Sequence, residues 1–200
     1  MRSVSRKIVK NEVSDPKDRN TKREAILKAA LDLVVEGGFH SAPMSAISKR
    51  AMASAGVIYH HFASKEEIFQ TVYERTCHLK RGSLLNGYTD AIEAREAFIL
   101  VALNAYTFYR QFQKELRYLS LFEDAGFAIP ESTRTPTPEV IQFQQRFSGR
   151  TQGGVFADLP PHVIDEMSLG LIARLARNPK KLSPAMLRQI SERIWDALKA

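Results

Sequence analysis

Apolar positions recur along the chain with the 3.6-residue period of helices, and nowhere with the two-residue period of a half-buried strand. Thr21-x-x-Glu24 has the form of a capping box, in which the hydroxyl accepts from the glutamate amide and the carboxylate reaches back. Ile26, Leu27, Ala30, Leu31 and Val34 then line one helix face until Gly37-Gly38, which supplies the left-handed residue that ends a helix. A very short helix follows from Pro43 to Arg50, with proline in the first turn, where a missing amide costs nothing, and with Met44 and Ile47 directed inward. After Ala51, Met52 and Ala53, Ser54 can cap another short helix through His61 that offers Val57, Ile58 and Phe62 as apolar contacts. Ser64-x-x-Glu67 is a second capping box and opens a long helix carrying Ile68, Val72 and Leu79.

Beyond Lys65 the periodicity predicts helices near 65–85, 90–112, 114–125, 137–151, 161–177 and 183–199. Breaks fall at Asn86-Gly87, across Pro130–Pro138, from Gly153-Gly154 to Pro160-Pro161, and at Asn178-Pro179. The expectation is an all-α chain: a flexible arm over residues 1–19, a compact three-helix unit over 20–65, and a larger helical domain over 66–200.

Composition narrows the function classes. A hydrophobic content of 44% suffices for a core, and the longest apolar run, Ala97 to Leu103, is far short of the roughly 20 residues of a membrane span. With no apolar segment after the basic start and a single cysteine, Cys77, the expected setting is the cytoplasm, away from membranes. The net charge of +7 is concentrated: residues 1–65 carry 12 Lys/Arg against 6 Asp/Glu, and the rest is almost neutral. A basic portion on a near-neutral body suits an anionic partner, and an unpartnered solvated face is the plainer alternative.

Two short helices joined by a three-residue turn form the helix-turn-helix unit, whose second helix enters the DNA major groove. Here that helix is Ser54 to His61. It exposes Ala55, Gly56, Val57, Tyr59, His60 and His61 while Ile58 and Phe62 face back. Gly56 holds no side chain between backbone and ligand, Tyr59 and the histidines can donate to phosphate oxygens, and Lys65 stands where helix amides already favour an anion. His60 and His61 do not form a metal site, because helix neighbours diverge by about 100°. Glu74 and His78 share a face near Cys77 but read as surface residues.

The runs TKREAILKAALDLVVEGGF, SAIS and SAGVIYHHFASKEEIF resemble the N-terminal domain of the TetR family of bacterial transcriptional regulators, over about residues 20–70. The resemblance implies base or groove contacts from Ala55, Gly56 and Val57 and phosphate contacts from Tyr59, His60, His61 and Lys65. Ser45 and Ser54, at the starts of the two short helices, complete the DNA-facing set. It also implies a second domain for effector binding and dimerisation. Two positions depart from the family pattern: Ala42-Pro43 replaces Thr-Ser, losing a hydroxyl cap, and Met52 replaces a turn glycine. Positive φ at a non-glycine residue costs on the order of 1 kcal/mol. The turn is therefore expected to be reshaped, with Met52 at negative φ and its thioether packed against Met44 or Ile47.

In the second domain, Phe98, Asn104, Tyr106, Tyr109, Tyr118 and Phe122 are candidates for a small-molecule pocket, with ordinary core as the alternative. The last two helices carry apolar stripes, Ile164, Met167, Leu171 and Leu175 on one and Met186, Ile190, Ile194 and Leu198 on the other, which suit a four-helix seam between two copies. The expected function is a ligand-responsive DNA-binding regulator, a repressor acting as a homodimer on a pseudo-palindromic operator, without cofactor or metal. Its partners are double-stranded operator DNA, a small-molecule effector and a second copy. The rival readings are a helical metalloenzyme, which lacks paired Glu-x-x-His motifs here, and a helical adaptor with a decayed DNA unit. Arg2, Arg6, Lys7 and Lys10 of the arm are expected to follow an adjacent minor groove.

Overall fold

The computed structural model describes residues 16–200 and is helical, with only isolated bridges pairing Phe156 with Gly149 and Lys199 among the described residues. The basic residues assigned to the arm, 1–15, lie outside the described residues. Residues 16–19 are not arm but the first turn of α1 (Pro16–Gly37). Thr21 and Glu24 therefore stand inside this helix and do not cap it; Pro16 opens it with a φ already suited to a helix.

The chain divides into two compact units, one up to Ile68 and one from Phe69 onward. In the first, α1 ends as its sequence requires: Gly38 takes φ +79° and its amide donates to Val34 O at 2.7 Å. A single 3-10 turn, Phe39–Ser41, leads to α2 (Met44–Ala51) and α3 (Ala55–His61). Ile26, Ala30 and Val34 of α1 share a core with Ile47 of α2, Ile58 of α3 and the following Phe62, all buried. The Arg23 guanidinium lies 5.1 Å above the Phe62 ring, a cation–π contact on the outer side of this core. The second capping box is realised at α4 (Lys65–Leu84): Glu67 N donates to Ser64 Oγ at 3.1 Å, and the Glu67 carboxylate accepts from Ala63 N at 2.5 Å.

In the second unit, α5 (Ala94–Gln111) is the central helix and packs against both α10 (Leu171–Ala176) and α11 (Pro184–Leu198). The intervening elements are α6 (Gln113–Asp124), the single turn α7 (Glu131–Arg134), α8 (Pro138–Arg146) and α9 (Pro161–Asp165). Two aromatic clusters fill the unit. Phe98, Phe147, Phe156 and Trp195 meet around α5 and α11, and Tyr73, Tyr118, Phe122 and Phe127 stack beside α4 and α6.

Two features depart from the predicted helices. The helix expected over 137–151 stops at Arg146, and Phe147 turns into the core. The segment that follows folds back so closely that a Cβ at Gly154 would collide with Ser148 O, which only glycine permits. The helix expected over 161–177 forms, but between α9 and α10 it widens into a π turn, Glu166–Gly170. There the buried Ser168 hydroxyl donates to Ile164 O at 2.6 Å, a side-chain bond that competes with the backbone ladder.

Candidate functional site

The turn between α2 and α3 keeps its left-handed shape. Met52 takes φ 49° and ψ 43°, the one non-glycine residue at positive φ among the described residues, and its side chain is 86% exposed. The expected negative φ and thioether contact with Met44 or Ile47 are thus both wrong. The reason lies in the flanks: Ala51 and Ala53 are buried, and Ser48 Oγ donates to Ala53 O at 2.6 Å, which pins the chain on both sides of Met52. These interactions outweigh a strain on the order of 1 kcal/mol. Replacing Met52 with glycine removes the Cβ strain and takes nothing out of the core. We expect Met52→Gly to stabilise the first unit by up to about 1 kcal/mol, a rise of up to about 4–8 °C in that unit's melting transition. Calorimetry showing a lower melting temperature would count against strain at this residue.

From that turn the backbone enters α3 through Ser54, whose hydroxyl accepts from Val57 N at 3.3 Å. The cap fixes which faces look outward. Ile58 and Phe62 are buried, Val57 is half-buried, and Ser54, Ala55, Gly56, Tyr59 and His60 are exposed. Ser45 is exposed in the first turn of α2, and Ala42 is fully buried ahead of a Pro43 N-cap without a side-chain bond. His61 and Lys65 are half-buried, and the rings of His60 and His61 stand edge to face at 5.4 Å. A helix start bearing only small residues, next to a tyrosine 57% exposed and a histidine, can lie against a backbone groove and present donors to phosphates.

The second unit contains a cavity of about 480 Å³ between α5, α8 and α9. Of the six pocket candidates only Phe98 lines it. Tyr109 borders a smaller space of about 240 Å³ and Asn104 a groove beside α4. Asn104 donates to Leu84 O at 3.1 Å and Asn86 O at 2.8 Å, closing the carbonyl end of α4. Tyr106 and Tyr118 are buried with satisfied hydroxyls: Tyr106 accepts from Leu182 N and Tyr118 donates to Phe69 O, each at 2.9 Å. Phe122 is fully buried in the stacked cluster. Burial pushes the Tyr118 phenol well above its usual range, and it pushes Tyr109 up to about 12 with help from the Asp165 charge. The pattern of polar residues in an apolar helix thus finds hydrogen-bonding anchors. The cavity walls it misses, Phe143, Phe147 and Phe156, stand in or beside a loop whose fold-back no periodicity announces.

The two C-terminal stripes are divided by the fold. Ile164, Ile194 and Leu198 are buried in the core of the unit. Met167, Leu171 and Met186 remain 39%, 37% and 47% exposed, and Leu175 and Ile190 are half-buried. Met167, Leu171 and Ile190 line an open groove edged by Glu166, Arg174 and Arg193.

Residues 26–72 match the family model described as bacterial regulatory proteins, tetR family. A 50-residue segment is 50% identical to the HTH-type transcriptional regulator UidR of Escherichia coli K12. That is 25% of this chain and 26% of UidR, so the chain spans about a quarter of the length of the curated relatives it matches. Among solved structures, a putative TetR-family regulator from Vibrio parahaemolyticus aligns at a TM-score of 0.69 and 25% identity, covering 90% of this chain and 99% of that one. A TetR-family regulator from Marinobacter aquaeolei aligns at a TM-score of 0.76 and 17% identity, over 92% of this chain and 99% of that one.

Proposed function

Because the chain belongs to the TetR family of bacterial transcriptional regulators, we propose that it is an effector-responsive repressor that binds a pseudo-palindromic operator as a homodimer. The observation that carries the reading is α3: its Ser54 cap, its buried Ile58 and its exposed Ala55, Gly56, Tyr59 and His60 form a surface with no use in the core. Ala55, Gly56 and Val57 meet the groove floor, and Tyr59, His60, His61, Lys65, Ser45 and Ser54 meet the sugar-phosphate backbone. Two such helices reach successive major grooves about 34 Å apart only when two chains associate. The C-terminal groove around Leu171 is the seam we assign to that association. The effector enters the cavity beside Phe98, and its binding changes the separation of the two α3 helices, releasing the operator.

The test is a gel shift with DNA from upstream of the chain's own locus, run as a salt series. The Lys65→Ala variant should bind specific and random DNA more weakly alike, and its salt slope should fall by about 0.9 for each phosphate that Lys65 neutralises. Val57→Ala should alter preference at one thymine, whose methyl it touches, and leave random DNA almost unaffected. An unchanged slope for Lys65→Ala removes it from the phosphate set. A reporter whose transcription falls when the gene is deleted contradicts repression.

A further inference from the structure

The walls of the 480 Å³ cavity carry a chemical preference, and the inference from them rests on reading that cavity as the effector site. Four of its rings form a chain of neighbours: the centroids of Phe143 and Phe147 lie 4.7 Å apart, those of Phe147 and Phe156 5.6 Å, and those of Phe156 and Phe98 5.7 Å. Such a lining takes an apolar or aromatic body. The neutral polar residues Gln144, Ser148 and Gln152 line the α8 side and its following turn, and the ionisable ones, His162 and Asp165, come from α9, with Ser168 on the π turn. The Ser168 hydroxyl is already committed to Ile164 O, which leaves the Asp165 carboxylate, apart from His162, as the only acid or base side chain on the cavity wall among the described residues.

Among the described residues no lysine or arginine lines the cavity. The nearest guanidinium seen against its rings, that of Arg146, stands 5.7 Å over Phe147 and is bound to the carbonyls of Asp90 and Ile92. Lys80 and Arg177 border the smaller neighbouring space, which shares Asp165 and Leu169 with the main one. A carboxylate or a phosphorylated carrier placed among the rings would lose hydration with no lysine or arginine to replace it, only the exposed His162 imidazole, and it would meet the Asp165 charge. A cation meets the opposite conditions, since ring faces attract positive charge and Asp165 completes the pairing. We propose that the cavity selects an apolar organic cation, an aryl- or alkylamine whose ammonium faces Asp165 and whose body lies among Phe98, Phe143, Phe147 and Phe156.

Three probes of one shape separate the possibilities: 2-phenylethylamine, 2-phenylethanol and phenylacetate, titrated calorimetrically into the full chain. The amine should bind about tenfold more tightly than the acid, and Asp165→Asn should erase that advantage while leaving the alcohol unchanged. Asp165 is exposed and its substitution by asparagine is nearly isosteric, so the variant keeps its fold, which circular dichroism checks. Phenylacetate binding as tightly as the amine, or an amine advantage that survives Asp165→Asn, overturns the proposal. The site itself is tested separately with Gln144→Trp, which places a large ring at the exposed rim of the cavity. If that variant loses the alcohol, the site stands whatever the ranking of the charged probes. If wild type binds none of the three, or Gln144→Trp binds all unchanged, the site reading fails and the amine preference falls with it.

Discussion

Replacing Phe62 with alanine is expected to abolish DNA binding while leaving the second unit folded. Phe62 leaves α3 with φ −141° and ψ 129°, which turns its ring under the helix, where it is 2% exposed, and its amide donates to Ile58 O at 2.9 Å. Truncating a fully buried phenylalanine costs about 3–5 kcal/mol through lost burial and the cavity left behind. In a unit of this size that loss is of the order of the whole stability, because small domains bury too little surface to hold a reserve. The second unit carries its own reporter. Trp195 is the only tryptophan and is buried among Phe98, Phe147 and Phe156. Phe62→Ala should therefore lose helical circular dichroism and DNA affinity together, with the Trp195 emission and its melting transition unmoved. A Trp195 transition that drops by as much as the helical signal shows that the two units melt as one, and retained DNA binding shows that the ring does not hold α3.

Legible in the sequence are the helices whose ends carry their own chemistry. Gly38 and Ser64-x-x-Glu67 end and open helices as written, because each supplies its local backbone conformation or cap without help from distant residues. Ile58 and Phe62 turn inward as their spacing predicts for a related reason, since a helix so short leaves little choice of face. One departure is local, since Thr21-x-x-Glu24 falls inside a helix that Pro16 has already opened, and the others reflect how the packed structure overrides local preference. Met52 is held left-handed by its buried neighbours and the Ser48 bond, an outcome that a residue's own φ preference argues against. The π turn depends on where the Ser168 hydroxyl points once the helix is packed. The candidate ligand residues follow the same divide. Tyr106 and Tyr118 are indeed polar groups in need of partners, but those partners, Leu182 N and Phe69 O, are backbone atoms far along the chain, so they brace the unit where a ligand was expected.

The largest expected effect on assembly belongs to Leu171→Glu, and the fold explains why it is the informative choice where Ile194→Glu is not. Ile194 is 6% exposed and lies in the core formed by α5 and α11, so a charge there is buried in the single chain and should unfold it. Leu171 is already 37% exposed on its own chain, on the same groove as Met167 and Ile190, so a glutamate at that position keeps its water in the monomer. Only a partner covering the groove would strip that water. In a two-fold seam each substitution appears twice, and two buried carboxylates facing one another cost several kcal/mol beyond the apolar packing they replace. Arg174 and Arg193 at the groove edge can recover a part of this, which Leu171→Gln, carrying no charge, would not need; the glutamine variant should accordingly weaken association less. Sedimentation velocity should show wild type as a dimer and Leu171→Glu as a folded monomer whose melting temperature resembles that of dilute wild type. Its operator affinity should then fall steeply and depend on protein concentration, because each half-site must be occupied independently and the second chain no longer arrives with the first. A Leu171→Glu chain that sediments as a dimer places the seam elsewhere on the second unit.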